Sequence, residues 1–196
     1  MKQLLVATRN RGKIKEIRAL LDGLVEEILC AADLPDLPET VEDGTTFSDN
    51  ALKKAREACK AAGLPVLADD SGLVVDGLDG RPGVFSARFA GPDADDGANN
   101  SKLLHEVAGL SEIERSAAFV CSMAFVSPDG VEQLFEGRVG GMIINRPRGE
   151  HGFGYDPLFL VNGYQQTMAE LPLDEKNRIS HRGQALQAFK AFLGGA

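Results

Sequence analysis

Residues 67–75 read LADDSGLVV, so two adjacent carboxylates, Asp69 and Asp70, stand between two apolar stretches. The apolar residues predict a buried strand, and a buried carboxylate is costly unless another group pairs with it. Side chains alternate along a strand, so Asp69 and Asp70 point to opposite faces wherever the strand is regular. Ser71 and Gly72 permit a turn, and we expect the strand to end there, although the second apolar stretch can continue it. A strand end in an open α/β sheet is where ligands bind.

Strand and helix patterns alternate in the first part of the chain, and a hairpin follows. The predicted strands are residues 3–7, 24–30, 65–69, 117–127, 131–140 and 158–161, and the predicted helices are residues 13–21, 46–62, 99–108 and one that Ser180 caps. The hairpin signal is the Pro-Asp-Gly at residues 128–130. This order predicts an α/β fold with a mixed sheet.

The composition is that of an ordinary globular protein, with 196 residues, 43% hydrophobic and 26% charged. We expect a single domain, residues 1–196. A net charge of 21 − 29 = −8 argues against a nucleic-acid partner, because binding to that backbone relies on a basic surface. No apolar run predicts a membrane span, and the apolar stretch near the start is too short for a signal peptide. We therefore expect a cytoplasmic protein with no membrane partner.

The segment TRNRGK, residues 8–13, lies between a predicted strand and a predicted helix. Unpaired N–H groups at a helix start and the helix dipole favour anions, and three basic side chains add positive charge. The segment is not a Walker A loop, because Ala7 stands where the first glycine belongs and Ile14 replaces the residue that would hold magnesium. It either binds a phosphate compound or is the basic start of a surface helix.

Two further segments place unusual side chains in loops or at a helix start. GFGYDP, residues 152–157, combines an aromatic ring, glycines and a carboxylate. Such a loop can stack on a planar ring and hydrogen-bond its edge, or it is a structural turn with buried aromatics. SHRG, residues 180–183, puts His181 and Arg182 in the first turn of a helix, where the dipole disfavours cations. These two side chains are therefore expected to meet an anion or a carbonyl oxygen.

Taken together, these segments resemble the inosine triphosphate pyrophosphatases, the Ham1-like family. The resemblance covers the whole chain and rests on six segments in the family's order. They are Thr8-x-Asn10-x-x-Lys13, DGTTFSDNALKKA (43–55), ADDSGL (68–73), SARFAG (86–91), GFGYDPLF (152–159) and ISHRGQAL (179–186). One such segment would be weak evidence, whereas six in order are highly specific.

The resemblance implies an elongated α/β fold, in which a mixed sheet is flanked by helices and two lobes have a cleft between them. It implies a homodimer and a Mg²⁺-dependent hydrolase. The expected reaction converts ITP, dITP and XTP to the nucleoside monophosphate and pyrophosphate, which keeps altered bases out of DNA and RNA.

The resemblance also implies roles for individual residues. Asp70 would accept a proton from the attacking water and, with Glu42, hold magnesium. Lys13 and Lys54 would be the catalytic cations, and Asn50, one helical turn before Lys54, would also face the phosphates. The residues expected to contact substrate are Thr8, Arg9, Asn10, Arg11, Gly12, Lys13, Ser71, Phe153, Gly154, Tyr155, Asp156, Lys176, His181 and Arg182.

Selection of the base is expected to depend on hydrogen bonds to its edge. Arg182 and His181 would donate to the C6 oxygen of hypoxanthine, and Asp156 or a backbone carbonyl would accept its N1 hydrogen. A donor beside C2, Lys176 or a backbone N–H, would reject the amino group of guanine. Phe153 would stack on every base alike.

The sequence leaves three points open. Asp69 is expected either to orient Lys13 or to bind a second ion. A related pyrophosphatase for other altered nucleotides, including modified pyrimidines, would share the phosphate apparatus. A non-catalytic nucleotide sensor would keep the binding residues only, and the presence of Glu42, Asp70 and Lys13 counts against it.

Overall fold

The computed structural model describes residues 1–195, which form a six-stranded sheet and five α-helices. The strands are β1 (Gln3–Val6), β2 (Glu27–Cys30), β3 (Val66–Val75), β4 (Ser116–Val126), β5 (Glu132–Ile143) and β6 (Phe159–Val161). The helices are α1 (Arg11–Leu21), α2 (Phe47–Ala62), α3 (Asp96–Val107), α4 (Leu173–Ile179) and α5 (His181–Gly194). No helix within residues 1–195 has the length and apolar character needed to cross a membrane.

The sheet is mixed, which confirms the predicted fold class. Its strand order is β2-β1-β3-β4-β5-β6. Strand β1 pairs in parallel with β2 and β3, and β5 pairs antiparallel with β6. A short turn joins β4 to β5, as the Pro-Asp-Gly signal predicted. The sequence did not predict α4, a helix of only seven residues that begins directly after a proline.

The predicted turn at Ser71 and Gly72 is wrong, because β3 runs without interruption from Val66 to Val75. Both residues adopt strand geometry, and nearly all of β3 is buried. The two adjacent carboxylates therefore lie in the middle of a central strand rather than at its end.

The chain forms two compact units, each assembled from segments that are distant in sequence. The first unit contains Met1–Asp70, Cys121–Gly137 and the chain from Arg182 onward, and the second contains Ser71–Val120 and Arg138–His181. Since β3, β4 and β5 each contribute residues to both units, neither unit is a continuous stretch of chain.

Each unit has its own core. In the first unit, one cluster packs Leu67 of β3 against residues of α1 and α5, and another packs Ala68 against α2. A third cluster forms the core of the second unit and includes Leu73, Phe119 and Phe159. The two clusters of the first unit show that its part of the sheet is covered by helices on both faces, so charged side chains there must be paired.

Helix α2 begins and ends where its sequence predicts. The Thr46 side chain caps it by accepting a hydrogen bond from the Asp49 N–H, and it ends at Gly63 in the left-handed region. Ala51 and Ala55 are fully buried on its inner face. The predicted Ala-rich face therefore positions Asn50 and Lys54.

Candidate active site

Strand β1 is shorter than β3, and this exposes one backbone carbonyl of β3 to a side chain. The Pro65 and Leu67 carbonyls accept hydrogen bonds from the N–H groups of Leu5 and Ala7, and the registered pairs end at Val6 and Leu67. The next carbonyl on that edge belongs to Asp69, because alternate residues face the same neighbour. Lys54 Nζ donates to it at 2.7 Å. A lysine of α2 thus replaces the missing β1 backbone beside the two carboxylates.

The carboxylates of Asp69 and Asp70 meet different helices, as strand alternation predicts. Asp69 lies on the face of Leu67, where Lys13 Nζ of α1 approaches Asp69 Oδ2 at 2.9 Å. Asp70 lies on the face of Ala68, where Asn50 Nδ2 of α2 donates to Asp70 Oδ2 at 2.9 Å. Of the two roles left open for Asp69, this ion pair supports the one in which it orients Lys13.

Asp69 is held in its ionised form. Burial by itself would raise the pKa of Asp69, but the positive charges of Lys13, Arg182 and Lys54 outweigh burial and hold that pKa well below its usual value. A carboxylate in this state is a poor proton acceptor. Its chemical role is to hold the surrounding cations.

The pKa of Asp70 is shifted in the opposite direction from the pKa of Asp69. Burial raises the pKa of Asp70, the negative charge of Glu42 adds to the rise, and Lys54 and the Asn50 hydrogen bond only partly oppose it. A carboxylate with a raised pKa is a stronger base than an exposed one. Of the two adjacent acids, Asp70 is therefore the one suited to accept a proton.

Lys54 connects Glu42 to this pair. Its ammonium lies 2.8 Å from Glu42 Oε1, and its side chain is 13% exposed. Burial lowers the pKa of Lys54, yet the charges of Asp69, Glu42 and Asp70 raise it above its usual value. Lys54 is therefore a permanent cation beside three acidic residues.

Asn50 is buried and both ends of its amide are used. Its Nδ2 donates to Asp70, and its Oδ1 accepts a hydrogen bond from the Gly44 N–H at 2.8 Å. A Cβ on Gly44 would lie 2.6 Å from that oxygen, so only glycine fits there. Asn50 therefore orients the Asp70 carboxylate, and its expected position facing the phosphates stays a prediction.

Arg182 lies in the first unit, buried among acids. Its Nε is 3.5 Å from Asp69 Oδ2 and its Nη1 pairs with Glu16 of α1, while its side chain is 2% exposed. Glu16 was not predicted from the sequence, because it lies beside the buried Ile17 and no motif marks it. The expected contact of Arg182 with a base stays a prediction.

The start of α1 is capped from within the chain. Asn10 Oδ1 accepts hydrogen bonds from the N–H groups of Gly12 and Lys13, and Thr8 Oγ1 accepts one from the Asn10 N–H. These backbone donors are therefore not the unpaired groups that the sequence suggested. The exposed side chains of Arg9 and Arg11 and the paired Lys13 carry the positive charge there.

In the second unit, the loop at residues 152–156 is closed around Asp156. Asp156 Oδ2 accepts hydrogen bonds from Lys176 Nζ at 2.7 Å and from the Phe153 N–H at 3.0 Å. Lys176 Nζ also lies 5.0 Å from the centroid of the Phe153 ring. A Cβ on Gly152, where φ is +83°, would lie 2.1 Å from Asp156 Oδ2, so this turn requires glycine.

Three further residues of the second unit were predicted to contact substrate. The His181 ring stacks on Phe119 with centroids 5.0 Å apart and is buried. The Tyr155 hydroxyl donates to the Ser86 carbonyl at 2.8 Å, and the expected contact of Tyr155 with substrate stays a prediction. Ser71 is half-buried on β3.

Glu42 and Asp70 offer carboxylate oxygens, the ligand type that Mg²⁺ prefers. Glu42 and Asp70 both act electrostatically on Lys54, and Glu42 destabilises the Asp70 anion. A divalent cation between two such oxygen donors would relieve that repulsion, and Mg²⁺ needs only one or two carboxylates when water and phosphate complete its shell. Within residues 1–195 no group of three or more His, Cys, Asp or Glu side chains forms a metal cage.

The fold and this cluster define an α/β protein whose central strand carries a buried acid–lysine network. The model of the Ham1 family matches residues 4–192, so the chain belongs to that family. This confirms the resemblance noted in the sequence.

Individual relatives cover nearly the whole chain. It is 57% identical over 194 residues to a dITP/XTP pyrophosphatase of Geobacter sulfurreducens, an alignment that covers 99% of this chain and 98% of the relative. The structure of a HAM1 protein from Coxiella burnetii matches with a TM-score of 0.90 at 41% identity and covers all of both chains. The Ham1 protein of Staphylococcus aureus matches with a TM-score of 0.88 at 39% identity and covers 99% of each chain.

Proposed function

We propose that this protein hydrolyses dITP, ITP and XTP to the nucleoside monophosphate and pyrophosphate. The observation that carries the proposal is the pair of adjacent acids on β3, in which Asp69 pairs with Lys13 at 2.9 Å and Asp70, held by Asn50 at 2.9 Å, has a pKa raised by burial. The names of relatives up to 57% identical support the same substrates.

The charged cluster of the first unit would act on the triphosphate. Asp70 accepts the proton of the attacking water, since burial and Glu42 raise its pKa. Lys13 and Lys54 stabilise the negative charge that develops on the leaving pyrophosphate. Asn50 keeps the Asp70 carboxylate in one orientation.

Glu42 and Asp70 are the residues that would hold Mg²⁺. When bound, the ion supplies neutralisation of phosphate charge. The cluster alone holds three cations, Lys13, Lys54 and Arg182, against four anions, Glu16, Glu42, Asp69 and Asp70, which leaves 3 − 4 = −1. An excess of negative charge favours an added cation before a polyanionic substrate binds.

The loop at residues 152–156 would bind the base. The Phe153 ring offers a face for stacking, and Asp156 offers a carboxylate acceptor that its pairing with Lys176 holds in place. Hypoxanthine has a hydrogen on N1 where adenine has none, so an acceptor favours hypoxanthine and xanthine over adenine.

The proposal is tested by measuring pyrophosphate release from a panel of nucleoside triphosphates with Mg²⁺ present. We expect kcat/KM to be highest for ITP, dITP and XTP, lower for GTP and lowest for ATP. Equal hydrolysis of ATP and ITP would contradict the account of base selection. Preference for a modified pyrimidine would favour the related pyrophosphatase, and binding without turnover would favour the sensor.

The metal requirement is tested separately with EDTA. We expect chelation to stop hydrolysis and added Mg²⁺ to restore it, because the cluster lacks enough positive charge for the triphosphate. Undiminished turnover in EDTA would remove magnesium from the mechanism. A homodimer and a cytoplasmic location, which the sequence also predicted, stay predictions that a sedimentation experiment and cell fractionation can test.

A further inference from the structure

The backbone N–H and C=O of Gly154 are both hydrogen-bonded to side chains of α3. Asp96 Oδ2 accepts a hydrogen bond from the Gly154 N–H at 2.7 Å, and Asn100 Nδ2 donates to the Gly154 carbonyl at 2.9 Å. Asp96 and Asn100 are four residues apart, so they lie on the same face of the helix. No motif in the sequence connects α3 to this loop.

Gly154 is the central residue of the loop that presents Phe153 and Asp156. Its φ of +61° lies in the left-handed region, and the residues on either side make their own fixed contacts. The Phe153 N–H donates to Asp156, and the Tyr155 hydroxyl donates to the Ser86 carbonyl. Asp96 and Asn100, termed the α3 clamp, thus act where the chain turns between the Phe153 ring and the Asp156 carboxylate.

We propose that Asp96 and Asn100 are positioning residues for base selection, because they hold Gly154 so that Phe153 and Asp156 keep one relative orientation. This inference rests on the proposed function, in which those two side chains bind the base. Neither Asp96 nor Asn100 needs to touch substrate.

Two features of the clamp support a positioning role over a general contribution to stability. Asp96 is exposed and Asn100 is only half-buried, so neither fills the core of the second unit. The negative charge of Asp96 also reaches Tyr155, whose pKa is raised mainly by burial and further by that charge. The clamp therefore contacts the loop at Gly154 and influences the next residue.

The experiment exchanges amide and carboxylate at the two positions. Asp96→Asn keeps an oxygen that can accept from the Gly154 N–H, whereas Asn100→Asp replaces a donor by an acceptor that repels the Gly154 carbonyl. The measured quantity is the ratio of kcat/KM for dITP to kcat/KM for dATP. A loss of folded protein lowers both values alike and leaves this ratio unchanged.

We expect Asp96→Asn to keep the ratio within about twofold and Asn100→Asp to lower it about tenfold, the upper range for one lost hydrogen bond. Asn100→Ala should lower it about fivefold. Ser101→Ala is the matched control, because this exposed hydroxyl of α3 donates only to the Gly97 carbonyl of its own helix. It should leave the ratio unchanged.

A base-free probe separates positioning from damage to the phosphate site. Inorganic triphosphate, used as a competitive inhibitor, should keep its Ki in every variant. The inference is overturned if Asn100→Asp and Asn100→Ala both keep the wild-type ratio, or if the Ki for triphosphate rises as much as the KM for dITP. The ratio is therefore measured first for the wild-type protein. If the wild-type protein shows no preference for dITP over dATP, the proposed function fails instead of this inference.

Discussion

The charged cluster around β3 and the loop at residues 152–156 are held in place by different means. In the cluster, side chains are held by ion pairs with other side chains, since Asp69 pairs with Lys13 and with Arg182. In the loop, the backbone is held, at Gly154 by residues of α3 and at Phe153 by Asp156. Removing one charge from the cluster therefore disturbs several partners, whereas a change in the loop alters the geometry of a few groups.

Asp70→Asn should have the largest effect on turnover. If Asp70 is the proton acceptor, as proposed, kcat should fall at least about 10²-fold, and further if Asp70 also holds magnesium. The folded protein should remain at least as stable, since burial disfavours the charged form of this carboxylate. Steady-state kinetics and thermal unfolding of the same sample measure both quantities.

Asp43→Asn is the matched control for that variant. Asp43 is an exposed acid that pairs with Lys53 on the surface, so its loss should leave kcat nearly unchanged. Retention of more than a tenth of wild-type kcat in Asp70→Asn would exclude the assigned role.

Arg182→Ala should have the largest effect on stability. Its removal leaves Glu16 and Asp69 buried with less positive charge, and breaking a buried pair costs about 3–5 kcal/mol. Arg178→Ala removes an exposed arginine from its pair with Glu175 and should cost less than about 1 kcal/mol. Denaturant unfolding of the two variants makes the comparison, and equal destabilisation would contradict it.

The same variant tests the sequence-based role of Arg182 in choosing the base. If its guanidinium donates to the C6 oxygen, the ratio of kcat/KM for ITP to that for ATP should fall in Arg182→Ala. An unchanged ratio would leave Arg182 with the structural role that its burial beside Glu16 and Asp69 indicates.

Lys13→Ala should reduce turnover about 10- to 100-fold, because a cation facing the developing phosphate charge is lost. KM should rise as well, since the same ammonium attracts the bound triphosphate. Lys15→Ala, on the same helix two residues away, is the control. An unchanged kcat in Lys13→Ala would limit that lysine to substrate binding.

Phe153→Leu should have the smallest effect of the four. Loss of aromatic stacking on a base is worth about 1–3 kcal/mol, and leucine retains part of the contact, so KM should rise about threefold to tenfold. The rise should be similar for ITP and ATP, because stacking does not distinguish them. A selective loss of ITP hydrolysis would show that the ring takes part in choosing the base.

The sequence alone was sufficient where local rules act. Strand alternation placed Asp69 and Asp70 on opposite faces, and the Thr46 cap with the spaced alanines placed α2. The six ordered segments identified the family, which the match over residues 4–192 confirms. These features depend on neighbours in the chain or on the order of motifs, and both are written in the sequence.

The tertiary structure alone decided which groups hold each of the two acids and in which direction the pKa of each is shifted. The pKa of Asp69 is lowered because Lys13 of α1, Arg182 of α5 and Lys54 of α2 act on it together, whereas at Asp70 burial and Glu42 outweigh the cations nearby. Sequence separations of up to 166 residues, as between Glu16 and Arg182, carry no local signal. The prediction of a turn at Ser71 was wrong for the same reason. Pairing within a central strand stabilises an extended backbone there, although Ser71 and Gly72 by themselves do not specify a strand.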